Sequence, residues 1–174
     1  LLREERFRRV SIKQPILECL SGTGHAPYQQ HLSDALSWWS AATVKVKSFL
    51  KEGMPPIMCA DANARSPTSF SADFGTFGST VETGTTKAFA NFVHQSGLWA
   101  PATFAHCCKD GTQHGAYHRD EVSAPVRIDY VAVSMNIAVM DGTYDLPDLD
   151  LHSVHLDHNP VGCVVSMPAA WSKS

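Results

Sequence analysis

The run Ile57-Met58-Cys59-Ala60 is apolar without a break, fenced by Pro55-Pro56 before it and Asp61 after it. Its brevity and its flanks make it a buried strand rather than a helix. The strand empties into Asp61-Ala62-Asn63-Ala64-Arg65-Ser66-Pro67. Residues two apart in extended chain face the same way, so Asp61 and Asn63 would project together from its end. A carboxylate beside an amide can orient a water and hold a phosphoryl oxygen. The same two residues also suit an Asx-turn or a helix cap, and the local sequence leaves both readings open.

Other elements follow from periodicity. A strand is predicted around Ile16-Leu17-Glu18-Cys19-Leu20, ending at Ser21-Gly22-Thr23-Gly24, with His25-Ala26-Pro27 next. His25 is either displayed at a strand end or a turn histidine stiffened by Pro27. Residues 29–50 read as a helix with Leu32, Leu36, Trp39, Ala42, Val46, Phe49 and Leu50 on its apolar face. Residues 64–83 read as a surface loop anchored by Phe70, Phe74 and Phe77. A second helix is predicted over 85–95, with Ala88, Phe89, Phe92 and Val93 inward and Gly97 as its stop, then a strand over 98–104. Residues 106–125 are polar and read as a solvated hairpin. Val126 to Val133 is the clearest strand, and it carries Asp129 in an apolar setting. A carboxylate there needs a partner, and Arg127 and His158 are the two candidates. A strand around Ile137–Met140 follows, then an acidic connection, then Asp157-His158-Asn159-Pro160 leading into the strand Val161–Val165.

Composition narrows the classes. With 174 residues, 44% hydrophobic and 18% charged, the chain suits one globular domain. A net charge of −3 argues against a nucleic-acid-coating protein but leaves room for a nuclease, whose groove and metal attract phosphate locally. No apolar run approaches the ~18 residues of a membrane span. Five cysteines, an odd number, point to a reducing compartment and an intracellular protein, nuclear or cytoplasmic. Cys107-Cys108 beside His106, His114 and His118 matches no zinc spacing, and His152, His155 and His158 lie in a loop-to-strand setting where a spacing of three means little. The start, Leu1-Leu2-Arg3, lacks an initiator Met and suggests a piece of a longer chain.

Four strand-end motifs thus stand in order: His25-Ala26-Pro27, Asp61-Ala62-Asn63, Arg127-Ile128-Asp129-Tyr130 and Asp157-His158. This order resembles the endonuclease/exonuclease/phosphatase superfamily. RIDYVAVS is similar to the family's Arg-(Ile/Leu)-Asp-Tyr motif, and LDHNPVGCVV to its (Ser/Thr)-Asp-His-x-Pro-(Ile/Val) motif. MCADANAR is similar to Gly-Asp-x-Asn-Ala, and GHAPY to the central His segment. The pattern looks most like endonuclease domains of non-long-terminal-repeat retrotransposons. Ala60 replaces the usual Gly, and Leu156 the usual Ser or Thr. The resemblance spans residues 10–166, with 1–9 and 167–174 as flanks. The family's early Asn and the Glu that is its principal magnesium ligand have no counterpart before His25: Glu4, Glu5 and Glu18 lack the setting.

The resemblance therefore implies an α/β fold, the C-terminal part of a four-layer α-β-β-α sandwich with mixed, mainly antiparallel sheets. It implies metal-dependent phosphodiester hydrolysis with Mg²⁺, or Mn²⁺ in its place, acting on the phosphate backbone of DNA, with no membrane partner and a parent chain fused to a reverse transcriptase. In its terms Asp61 orients or deprotonates the water and Asn63 contacts the scissile phosphate. His158, fixed by Asp129, bonds a nonbridging oxygen or moves a proton. His25 is a second imidazole on the phosphate, and Asp157 helps hold the metal. A fragment without the chief carboxylate is expected to be weakly active or inactive. The alternatives are a phosphomonoesterase or phospholipase of the same fold, acting on inositol phosphates or sphingomyelin, and a non-enzymatic decayed fragment. No apolar membrane-binding loop stands out, which favours the nuclease.

Overall fold

The computed structural model describes residues 6–12, 17–27, 31–50, 55–79, 81–108, 115, 117, 124, 126–145, 158 and 161–166. Among these the order is β1 (Arg6–Ile12), β2 (Leu17–His25), α1 (Leu32–Leu50), β3 (Pro56–Asp61), α2 (Thr86–Gln95), β4 (Leu98–Trp99), β5 (Asp129–Ser134), β6 (Ala138–Asp145) and β7 (Val161–Ser166), with 3-10 turns at Pro101–Thr103 and Ala105–Cys107. Five strands form one sheet in the order β1-β2-β3-β5-β4, and β6 pairs with β7 in a second ladder. The β2–β3 pairing is parallel and the other described pairings are antiparallel. The chain is a mixed α/β protein. No helix among the described residues is long and apolar enough to cross a membrane.

β3 is the hub, hydrogen-bonded to β2 on one side and β5 on the other. Pro56 opens it, at a strand's first position where a missing N–H is tolerated. Pro56, Met58 and Ala60 are buried, and Met58 and Ala60 join the aromatic core beneath the helices. Cys59 alternates to the other face and is exposed there. β7 lies near that face: burial, with the Cys59 thiol as a second cause, pushes the Cys163 thiol up to about 11.

The helical side packs around rings. Trp39 of α1 meets Phe89 and Phe92 of α2 at centroid distances of 5.0 and 4.9 Å, and Phe89 meets Tyr130 of β5 at 4.7 Å. Such pairs add to what their buried area contributes. The inward face of α1 differs from the one the sequence predicts. Ala35, Trp38, Trp39, Ala42 and Val46 are buried, whereas Leu32 and Leu36 are 41% and 45% exposed. The two adjacent tryptophans, 4.6 Å apart and edge-on, are both buried, Trp38 close to Gly24 of β2 and Trp39 against the rings of α2. Phe74 anchors the 64–83 loop as expected, 5.5 Å from Phe89.

Strand assignments also differ, and β5 begins at Asp129 rather than Val126. β2 continues through the glycines to His25, because the parallel register from Leu20↔Pro56 to His25↔Asp61 satisfies its backbone. Gly24 is required there: a Cβ would lie 2.9 Å from Trp38 Cη2. The strand predicted over 98–104 stops at Trp99, since Pro101 has no N–H to pair and opens a 3-10 turn. β1 is the strand that periodicity misses. Arginine occupies three of its first four positions, and charge of this kind is tolerated on an edge strand. Gly97, at φ +61, ends α2 as predicted.

Candidate active site

Sheet register sets the site. His25↔Asp61 is the last pair of β2–β3, and Asp61↔Asp129 is the last pair of β3–β5. Residues directly paired across neighbouring strands point to the same face, so one row of side chains crosses the sheet end as His25, Asp61, Asp129. The His25 Nδ1 lies 3.5 Å from Asp61 Oδ2. His158 completes the row: its Nδ1 is 2.8 Å from Asp129 Oδ2. Of the two partners open to Asp129 by sequence, the structure gives His158; Arg127 turns elsewhere, its Nη1 donating to the Phe77 carbonyl at 2.8 Å.

Asp61 serves two ends at once. Its Oδ1 accepts the backbone N–H of Asn63 at 2.9 Å, the Asx-turn that its sequence allowed. Oδ2 faces the row and also accepts from the Asn63 Nδ2 at 3.5 Å. Asn63 pays for this turn with a left-handed backbone, φ +44, which Asn tolerates better than most residues. Its Nδ2 donates to the Ala26 carbonyl at 2.7 Å, and the Asn63 carbonyl accepts from Thr85 Oγ1 at 3.0 Å. At 4% exposure Asn63 is a buried clamp between the ends of β2 and β3. The phosphate contact expected of it competes with the Ala26 bond.

Burial raises the pKa of Asp129; the His158 bond and charge oppose that, and the neighbouring Asp61 carboxylate adds to it. A carboxylate held half-dehydrated beside another is a place where a cation is welcome. Asp61, Asp129 and His158 each offer one ligand atom, all within 4.8 Å of one another, and the two carboxylates are the oxygen donors that hard divalent ions prefer. The residues fit a divalent metal. Asp157, predicted as a metal ligand, lies outside the described residues, as do His152 and His155.

One residue of the site had no sequence signal. Tyr117 lies in the polar 106–125 stretch, yet its backbone bridges both Val126 and His158. Its ring is 4.9 Å from the His158 imidazole. Tyr117 and Val126 form an isolated bridge, and most of the predicted hairpin over 106–125 lies outside the described residues. Nothing in the periodicity marks the tyrosine, because only the return of His158 from the far end of the chain places a ring beside it.

No family model and no curated protein matches the sequence. Solved structures do match in three dimensions. An endonuclease/exonuclease/phosphatase family protein from Bacteroides thetaiotaomicron superposes with a TM-score of 0.54 at 15% identity, over 95% of this chain and 55% of that one. The catalytic domain of Xenopus laevis APE2 gives 0.57 at 12% identity, over 91% and 53%. This chain has the endonuclease/exonuclease/phosphatase fold. It spans about half the length of the structures it matches.

Proposed function

We propose that this chain carries one wall of a metal-dependent phosphodiesterase site acting on DNA, in an endonuclease domain of retrotransposon type whose parent chain also bears a reverse transcriptase. One observation supports this above the rest: the row from His25 through Asp61 and Asp129 to His158 at the end of the sheet, with three ligand atoms within 4.8 Å.

The hydrogen bonds assign roles. With Oδ1 held by Asn63, Asp61 offers Oδ2 to the attacking water and takes its proton or orients it. With Nδ1 donated to Asp129, His158 has Nε2 unbonded among the described residues, as acceptor when neutral and as donor to a nonbridging phosphoryl oxygen when protonated. His25, whose side chain is largely exposed, is the second imidazole on the phosphate. Asn63 holds the β2 and β3 ends at fixed separation. Asp157 and the Asp129 oxygen not bonded to His158 would hold Mg²⁺, which would neutralise phosphoryl charge when bound.

The test is nicking of supercoiled plasmid with Mg²⁺. Asp61→Ala and His158→Ala should each slow nicking about 100-fold or more. Unchanged nicking in both variants would remove the assignment. Hydrolysis of inositol phosphates with DNA left intact would move the protein to the phosphomonoesterase reading.

A further inference from the structure

Arg127 is 5% exposed, and among the described residues only one of its three guanidinium nitrogens is bonded. Nη1 donates to the Phe77 carbonyl at 2.8 Å. Nε and Nη2 are both buried and have no hydrogen-bond partner among the described residues. A guanidinium is the side chain least able to escape this situation by losing its proton. Burial does draw its pKa down, with the Tyr130 and Cys108 groups acting in the opposite sense. A buried charge with two unmet donors is a large penalty unless a counter-charge meets it. The nearest carboxylate in sequence, Asp129, is engaged with His158 instead.

The two unmet atoms are neighbours on the guanidinium. Nε–H and one N–H of Nη2 point the same way and form the side-on edge of the fork, the edge that receives two oxygens of one carboxylate or phosphate in parallel. Nη1, the remaining corner, is the one tied to the backbone. The protein has thus fixed the side chain by one end and kept the bidentate edge whole. Arg127 is also two residues from Asp129, at the same end of β5.

We infer that the Nε–Nη2 edge of Arg127 is a receptor for a tetrahedral oxyanion, a phosphate group. A phosphate brings the counter-charge and both acceptors in one group, and its binding relieves the desolvation that the empty edge carries. The edge exists only in the folded chain, so an anion held there binds the folded state and not the unfolded one, and binding raises the stability of the fold. Where the phosphate belongs to a nucleic acid, this deepens the phosphodiesterase reading by giving the site a second phosphate contact outside the reacting row.

Thermal unfolding of the full chain, with EDTA present and ionic strength held with chloride, tests the inference without turnover. The probes are inorganic phosphate and a short thymidine oligonucleotide. The melting temperature of the wild type should rise with phosphate and keep rising with the logarithm of its concentration. Arg127→Met should abolish the rise. Arg127→Lys keeps the charge but not the fork and should lose most of it, and this variant carries the test where Arg127→Met fails to fold. A rise with both probes assigns a backbone phosphate to the edge, and a rise with inorganic phosphate alone assigns a free oxyanion. No rise with either probe, or an equal rise in Arg127→Lys, overturns the inference. Failure of DNA nicking would leave these melting curves unaffected, so the two readings fail separately.

Discussion

The two ends of β3 and β5 side chains lead into opposite kinds of environment. On the helical face, Met58, Ala60, Tyr130 and Ala132 lie against the rings of Trp39, Phe89 and Phe92, and burial there is apolar and mutual. At the strand ends, Asp61 and Asp129 are side by side with two imidazoles, partly buried and mutually repelling. The first region stabilises the fold and asks nothing of ionisation. The second holds a strained turn at Asn63, a half-dehydrated carboxylate at Asp129 and, two residues away, a guanidinium with two unmet donors. A rim that costs stability persists because the aromatic face behind it can carry the cost.

That contrast can be broken from the core side first. Phe89 is fully buried and touches Trp39, Phe74 and Tyr130. Phe89→Ala should destabilise the protein by about 3–5 kcal/mol, measured by urea unfolding. A loss under ~1 kcal/mol would mean that the ring cluster does not hold the sheet. At the boundary between the regions, Asn63→Ala removes the bond to Ala26 and puts a Cβ-bearing residue without the amide at φ +44. The expected loss is about 1–3 kcal/mol in the same assay. Asn63→Gly should recover the backbone part of that loss and leave the hydrogen-bond part.

The smallest effect has the opposite sign. The native pKa of Asp129 is raised, so its folded state binds a proton more readily than the unfolded chain does. The stability linked to that proton is present below the ordinary carboxylate value of 3.8 and is lost as pH rises through the raised native value. Asp129→Asn cannot ionise. It should therefore melt above the wild type at pH 7, with the gap closing as pH falls below that ordinary value. Its nicking rate should fall at the same time, because His158 loses its anionic partner. Equal melting temperatures across the pH range would show that Asp129 bears no burial penalty.

Much of this was legible without coordinates. The apolar run Ile57–Ala60 between Pro-Pro and Asp61 could only be a buried strand, and helices over 29–50 and 85–95 followed from their apolar spacing. The order of His25, Asp61-Asn63, Arg127-Ile128-Asp129 and Asp157-His158 set candidate residues at strand ends, and the register brings His25, Asp61 and Asp129 into one row, with Asp157 outside the described residues. Local chemistry also permitted the Asx-turn at Asp61. Less was legible where packing overrules spacing. Leu32 and Leu36 fit the helical period, yet the bulk of Trp38 and Trp39 decides which side of α1 faces the sheet.

The sequence by itself determined which residues could react and on which short runs they sit, because residue chemistry and two-residue alternation are local properties. Tertiary structure alone decided who meets whom. Parallel register put His25 beside Asp61, antiparallel register put Asp61 beside Asp129, and the return of the chain put His158 and Tyr117 together. It also took Arg127 away from Asp129 and left its fork unmet. The physical reason is that hydrogen-bond partners 29 or more residues apart, such as Asp129 and His158, are selected by sheet register and burial, which no local stretch encodes.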